Sequence, residues 1–99
     1  MNPETLSPEL QKILRVLPFV SDEEGELDLW VPSWDGGKDA LIARGEEYAE
    51  TALAVARQFQ VPMLIGLIMR DMVLCGRFGA VEAGFVATIA SAARVGSYS

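Results

Sequence analysis

Leu10, Ile13, Leu14 and Leu17 recur at i, i+3, i+4 and i+7, one apolar helical stripe with Lys12 and Arg15 lying off it. Ser7-Pro8-Glu9 supplies the start: a capping hydroxyl, a proline suited to the first helical position and an acid in the first turn. Pro18 ends the helix, because it disfavours helical geometry at the residue before it. From Phe19 the period changes. Leu27, Leu29 and Val31 alternate with Asp28 and Trp30, the pattern of a half-buried strand, and Phe19-Val20 can pair with them across a turn at Gly25. A lone hairpin is marginal in water, so this one has to lie on the helices. Pro32 stops the run, and Asp35-Gly36-Gly37 is a loop.

A second helix is expected from an Asp39 cap, with Gly36 and Lys38 as alternative starts, to about Phe59. Its seam is Leu41, Gly45, Tyr48, Ala52, Val55 and Phe59, widened by Ile42, Ala49, Leu53 and Ala56. A glycine inside a helix costs about 1 kcal/mol relative to alanine, so Gly45 on the seam points to another helix crossing close there. Val61-Pro62 breaks the chain, and a third helix runs from Pro62 to about Cys75 with Gly76 as its C-terminal cap. Arg70 and Asp71 are its only charges, which predicts burial on most sides. The fourth helix follows Gly76-Arg77-Phe78-Gly79 and ends near Val95. Ala80, Gly84, Thr88, Ala92 and Gly96 form a ridge of small residues beside Val81, Phe85 and Ile89. Small residues on one ridge permit close helix approach.

These elements predict an all-α or mainly-α domain over residues 1–99: about four helices, with a short β-hairpin between the first and second. The last two helices are expected to form a tight antiparallel hairpin at the centre. Counting glycine and leaving out tyrosine, roughly 58% of the residues are apolar, against about 45–50% in an average soluble domain. That surplus makes self-association the default expectation. The net charge of -6 is divided unevenly: residues 1–60 carry twelve acids and five bases, residues 61–99 two acids and three bases. The first part is expected to cover and solubilise the second. An acidic chain loses the main source of nucleic-acid affinity but suits a basic protein partner.

The chain has no histidine, which excludes histidine bases, His-based triads and histidine metal ligation. Cys75 is the single cysteine and is expected to be a buried structural thiol. In the run Asp22, Glu23, Glu24, Glu26 and Asp28, Gly25 sits too early for a calcium loop and no glutamate follows at the required offset, so it reads as a solvated turn. Gly36-Gly37-Lys38-Asp39 lacks phosphate-loop spacing. No metal or cofactor is expected. Met1-Asn2-Pro3-Glu4 does not resemble a signal peptide, and no uncharged stretch approaches the ~20 residues of a membrane span, so a cytoplasmic protein is expected.

Two constellations stand out. Trp30 and Trp34 either lid the core with their N–H groups reaching water, or form a hot spot for a partner. Arg70, Asp71, Arg77, Glu82 and Arg94 are the only charges of the apolar third, and Arg70, Asp71 and Glu82 are the candidate ligand-binding set should they converge. The leading expectation is a non-enzymatic homo-oligomeric interaction domain. Trp30, Trp34, Met69, Met72, Ala80, Gly84, Phe85 and Thr88 are its candidate interface residues. A small acidic regulator of a basic protein, and a small-ligand enzyme or binder with a carboxylate–guanidinium pocket, are the alternatives.

Overall fold

The computed structural model describes residues 7–23 and 26–94, and the side chains of these except residues 22, 23, 26 and 94. The element order is α1 (Pro8–Arg15), β1 (Ser21–Glu23), β2 (Glu26–Asp28), α2 (Lys38–Gln58), α3 (Met63–Cys75) and α4 (Ala80–Arg94). The mainly-α class with one small hairpin is as the periodicities require. No described helix is long and apolar enough to cross a membrane. The expected end of the last helix near Val95 and Gly96, the turn at Glu24-Gly25 and the N-terminal residues 1–6 lie outside the described residues.

Local chemistry sets most boundaries. The Ser7 hydroxyl accepts from the backbone N–H of Leu10 at 3.2 Å, capping α1 with Pro8 in its first turn. Gly37, rather than Asp39, caps α2. That helix closes on a Schellman arrangement: Val61 N–H bonds to Ala56 C=O at 2.9 Å and Gln60 N–H to Arg57 C=O at 3.3 Å. Gln60 takes the left-handed position (φ 55°), which glycine normally fills, and this is why no glycine marks the end of α2. Gly76 (φ 75°) caps α3 in the same region.

The strands pair antiparallel with Ser21 opposite Asp28 and Asp22 opposite Leu27, and Val31 N–H donates to Phe19 C=O at 2.7 Å beyond them. Leu27 and Leu29 are buried and Asp28 is exposed, as the alternation demands, but a bend at Leu29 turns Trp30 inward and Val31 outward. The hairpin therefore lies on the helices. Phe19 and Trp30 meet Tyr48 of α2 and Phe85 of α4 in an aromatic cluster with ring centroids 5.0–6.2 Å apart.

The helix pairing differs from the expected α3–α4 hairpin. The principal neighbour of α4 is α2, and α3 touches α2 only lightly. Two glycines decide it. A Cβ on Gly45 would run into the carbonyl oxygen of Val81 and lie 2.8 Å from Phe85 N, and one on Gly84 would meet the carbonyl of Ile42. Each helix thus lays backbone against the other's missing side chain, an approach closed to the bulky face of α3. As a result α3 buries only Leu64, Ile65, Ile68 and Met72. Its opposite side, expected to be covered, is open: Met63, Gly66, Arg70, Val73 and Leu74 are exposed.

The three helix-interior glycines should respond with opposite signs. Gly45→Ala and Gly84→Ala are expected to destabilise by about 1–3 kcal/mol or more, because backbone would have to shift. A Cβ at Gly66 meets nothing within 4 Å, so Gly66→Ala should stabilise by about 0.4–1 kcal/mol. Urea denaturation of the dilute chain measures all three. Equal responses at Gly45 and Gly66 would refute the close crossing.

Candidate functional site

The residues that carry chemistry gather where the hairpin and the following loop meet the start of α4. Glu82 is the third residue of α4, and its Oε1 accepts the backbone N–H of Gly79 at 2.8 Å, the reach-back half of a capping box. Its Oε2 accepts both indole N–H groups, from Trp30 and from Trp34, at 2.9 Å each. The residue has no solvent exposure at all. Burial alone would raise its pKa. The indoles of Trp30 and Trp34 and the backbone N–H groups of Gly79 and of Glu82 itself outweigh that, holding the carboxyl below its ordinary value. The tryptophan N–H groups therefore reach a carboxylate of the same chain and not water. The guanidinium of Arg77 stacks 4.3 Å above the Trp34 ring, on the other side of the same turn.

Asp71 performs a parallel task on α3. Its Oδ2 accepts the backbone N–H of Leu29 at 3.0 Å, which ties the hairpin to that helix. Oδ1 lies 3.8 Å from Nε of Arg70, whose side chain is 53% exposed, so this ion pair contributes little. Asp71 lines a cleft of about 360 Å³ with Asp28, Trp30, Trp34, Leu74 and Cys75, which neither Arg70 nor Glu82 enters. Asp71 and Glu82 thus lie beside the tryptophans and Arg70 on the open face of α3, and the three do not face one cavity. Arg44 pins the loop from the far side, its Nη1 donating to the carbonyls of Ser33 and Asp35 at 2.8 Å each. Among the described residues no group of three or more His, Cys, Asp or Glu could hold a metal ion.

The candidate interface residues divide by burial. Trp30, Met72, Gly84 and Phe85 are buried inside this chain, Phe85 at the centre of the aromatic cluster, while Trp34, Met69, Ala80 and Thr88 are half-buried. The large exposed apolar side chains are others: Val73 at 76%, Leu74 at 74%, Phe78 at 67% and Met63 at 57% on α3 and the turn after it, with Val16, Phe59 and Val31 exposed singly elsewhere. Cys75, expected to be buried, is exposed. It follows the inward stripe of Ile68 and Met72 but lines the cleft beside Trp30 and Trp34.

A second concavity lies between α2 and α4. Ile42, Leu53, Gly84 and Ala87 floor an open groove of about 740 Å³, with Glu46 and Glu50 on its rim and Arg57 towards one end. Sequence reading passed it over, since it exists only because the glycines bring these two helices together. The glutamate three residues after Gly79 was a visible capping signal. Its indole partners, 48 and 52 residues away, were not.

Replacing Glu82 by glutamine sets an amide N–H against donors, and is expected to destabilise by about 1–3 kcal/mol at neutral pH. The pH sign follows from the lowered pKa. Stability from the charged carboxylate is fully present above the ordinary glutamate pKa and is lost as pH falls through the lower, folded-state value. Urea midpoints of the native chain should therefore fall towards those of Glu82→Gln as pH drops below the ordinary glutamate value of 4.5. A gap that stays constant below that value would refute the assignment.

No protein-family model, no curated protein and no solved structure matches the chain.

Proposed function

We propose that the protein is a non-enzymatic interaction domain that self-associates through the outer face of α3. The observation that carries this reading is the run of exposed apolar side chains Met63, Val73, Leu74 and Phe78, the first three of them on one helix face and Phe78 in the turn that follows. Exposed apolar groups that cluster on one element mark association surfaces, whereas scattered ones need no explanation. The face spans about 15 Å between Met63 and Val73, at 1.5 Å per helical residue. Fixed helical geometry along that length favours a docking surface over a flexible tail.

The carboxylate–tryptophan assembly supports the non-enzymatic half of the reading. Both Glu82 oxygens are engaged within the chain and are closed to solvent, and one Asp71 oxygen holds the Leu29 N–H. These groups fasten the fold, and so are unsuited to exchange protons with a substrate.

Light scattering behind size exclusion is expected to give a mass above the 10.7 kDa of one chain at tens of micromolar, falling towards it on dilution. Leu74→Glu should yield a monomer with unchanged helix content by circular dichroism, since an exposed position changes stability by only about 0.5 kcal/mol. A native chain that stays monomeric at every concentration refutes the reading.

A further inference from the structure

Two surfaces are left uncovered by the described residues: the outer face of α3 and the groove between α2 and α4. We infer that they are complementary, and that the outer face of α3 of one copy seats in the α2–α4 groove of the next. The inference rests on the proposed self-association and adds which surface receives α3.

Charge commits the occupant. The α3 face is apolar around a single cation: Arg70 is exposed midway between Met63 and Leu74. Asp71 Oδ1 lies 3.8 Å from Arg70 Nε, but Asp71 is only 10% exposed against 53% for Arg70, so the guanidinium is the charge that the face presents outward. The groove has the opposite character, with an apolar floor of Ile42, Leu53 and Ala87 under the exposed carboxylates of Glu46 and Glu50. Arg57 offsets one of the two only at the far end. Seating α3 there sets Arg70 against an acidic rim while its apolar neighbours cover the floor, the pairing of unlike potentials that fixes register. The symmetric alternative, α3 against α3, brings two Arg70 guanidinium groups together near the axis, because residue 70 lies close to the middle of a helix spanning Met63–Cys75. It also leaves the groove empty.

Shape agrees with charge. The α4 wall presents Gly84 and Ala87, and Ala54 adds a short side chain on α2, so a helix can come close. The incoming face carries Gly66, where the α3 backbone is uncovered and nothing stands within 4 Å of a would-be Cβ. Face and groove share no residue. The contact is therefore head-to-tail, and such a contact closes into a ring or continues as a filament.

Two variants and their mixture test this. Leu74→Glu disables the face, and Ala87→Arg fills the groove with bulk and like charge. Both positions are exposed, so both chains should fold, with circular dichroism as the check. Each alone should be monomeric by light scattering. Their equimolar mixture should form particles of two chains and no larger, because one intact face and one intact groove remain. Arg70→Glu should weaken native association about tenfold or more, and Glu46→Arg with Glu50→Arg in the same chain should recover most of the loss. If Ala87→Arg associates as the native chain does while Leu74→Glu does not, α3 meets another surface and the inference fails while self-association stands. A mixture that stays monomeric also overturns it. A native chain that never associates removes both readings.

Discussion

The Glu82 carboxylate is the junction on which the rest of the structure hangs. It is fully buried, and a charge removed from water is tolerated only where strong donors replace the lost hydration. Four groups converge to do so: two indoles, the backbone N–H of Gly79 and the start of the α4 helix with its favourable dipole. Charge-assisted hydrogen bonds of this kind contribute about 1.5–3 kcal/mol each. The donors come from two distant parts of the chain, the stretch after β2 and the turn that opens α4, so the single carboxylate fixes three things at once. It starts α4, it holds Trp30 against Phe19 and Phe85 at 5.3 and 5.0 Å, and it holds Trp34 where Arg77 can stack. With no described buried side-chain polar atom left without a partner, the polar network inside this small core is complete.

Asp71 and Arg44 repeat the device at the margins. One carboxylate takes the N–H of Leu29 just past β2, and one guanidinium takes two loop carbonyls. The irregular stretch between β2 and α2 is thus held by side chains of α2, α3 and α4, where a longer sheet would have used backbone pairing. A hairpin of three-residue strands has little stability of its own. Its burial of Phe19, Leu27, Leu29 and Trp30, together with these polar ties, keeps it in place.

Helix existence was legible in the sequence because periodicity and caps are local. Ser7-Pro8, Gly76 and the alternation through Leu27 and Leu29 each placed an element within a residue or two. The end of α2 was harder, since Gln60 rather than a glycine occupies the left-handed position. Pairing was not legible. Gly45 and the small ridge of α4 both signalled a close crossing, but nothing local said that each was the other's partner, and nearness in sequence favoured α3 for α4. The candidate site followed the same division. The tryptophans and Glu82 stand out by type, yet their bonds span about half the chain, so residue type alone leaves the indoles between water and a partner and Glu82 among candidate ligand groups. Phe85 and Met72 are candidate interface residues on pattern alone but are buried in the chain, because a ridge pattern gives no account of which side is filled from within.

The same glycines that close the core also produce the apolar surface. Once Gly45 and Gly84 commit α4 to α2, no element of comparable length among the described residues is left to cover the far side of α3. The hairpin and α1 are too short to do so: β1 and β2 have three residues each and α1 has eight. A helix with two charges in thirteen residues then has to bury one stripe and expose another. Moving charge into α3 would make the monomer more soluble, yet the exposed stripe retains Met63, Val73 and Leu74, and the acids are concentrated on the α2 side instead. That distribution separates an apolar face bearing one cation from an acidic groove on one small domain. Such a separation favours association between unlike surfaces over the pairing of like ones.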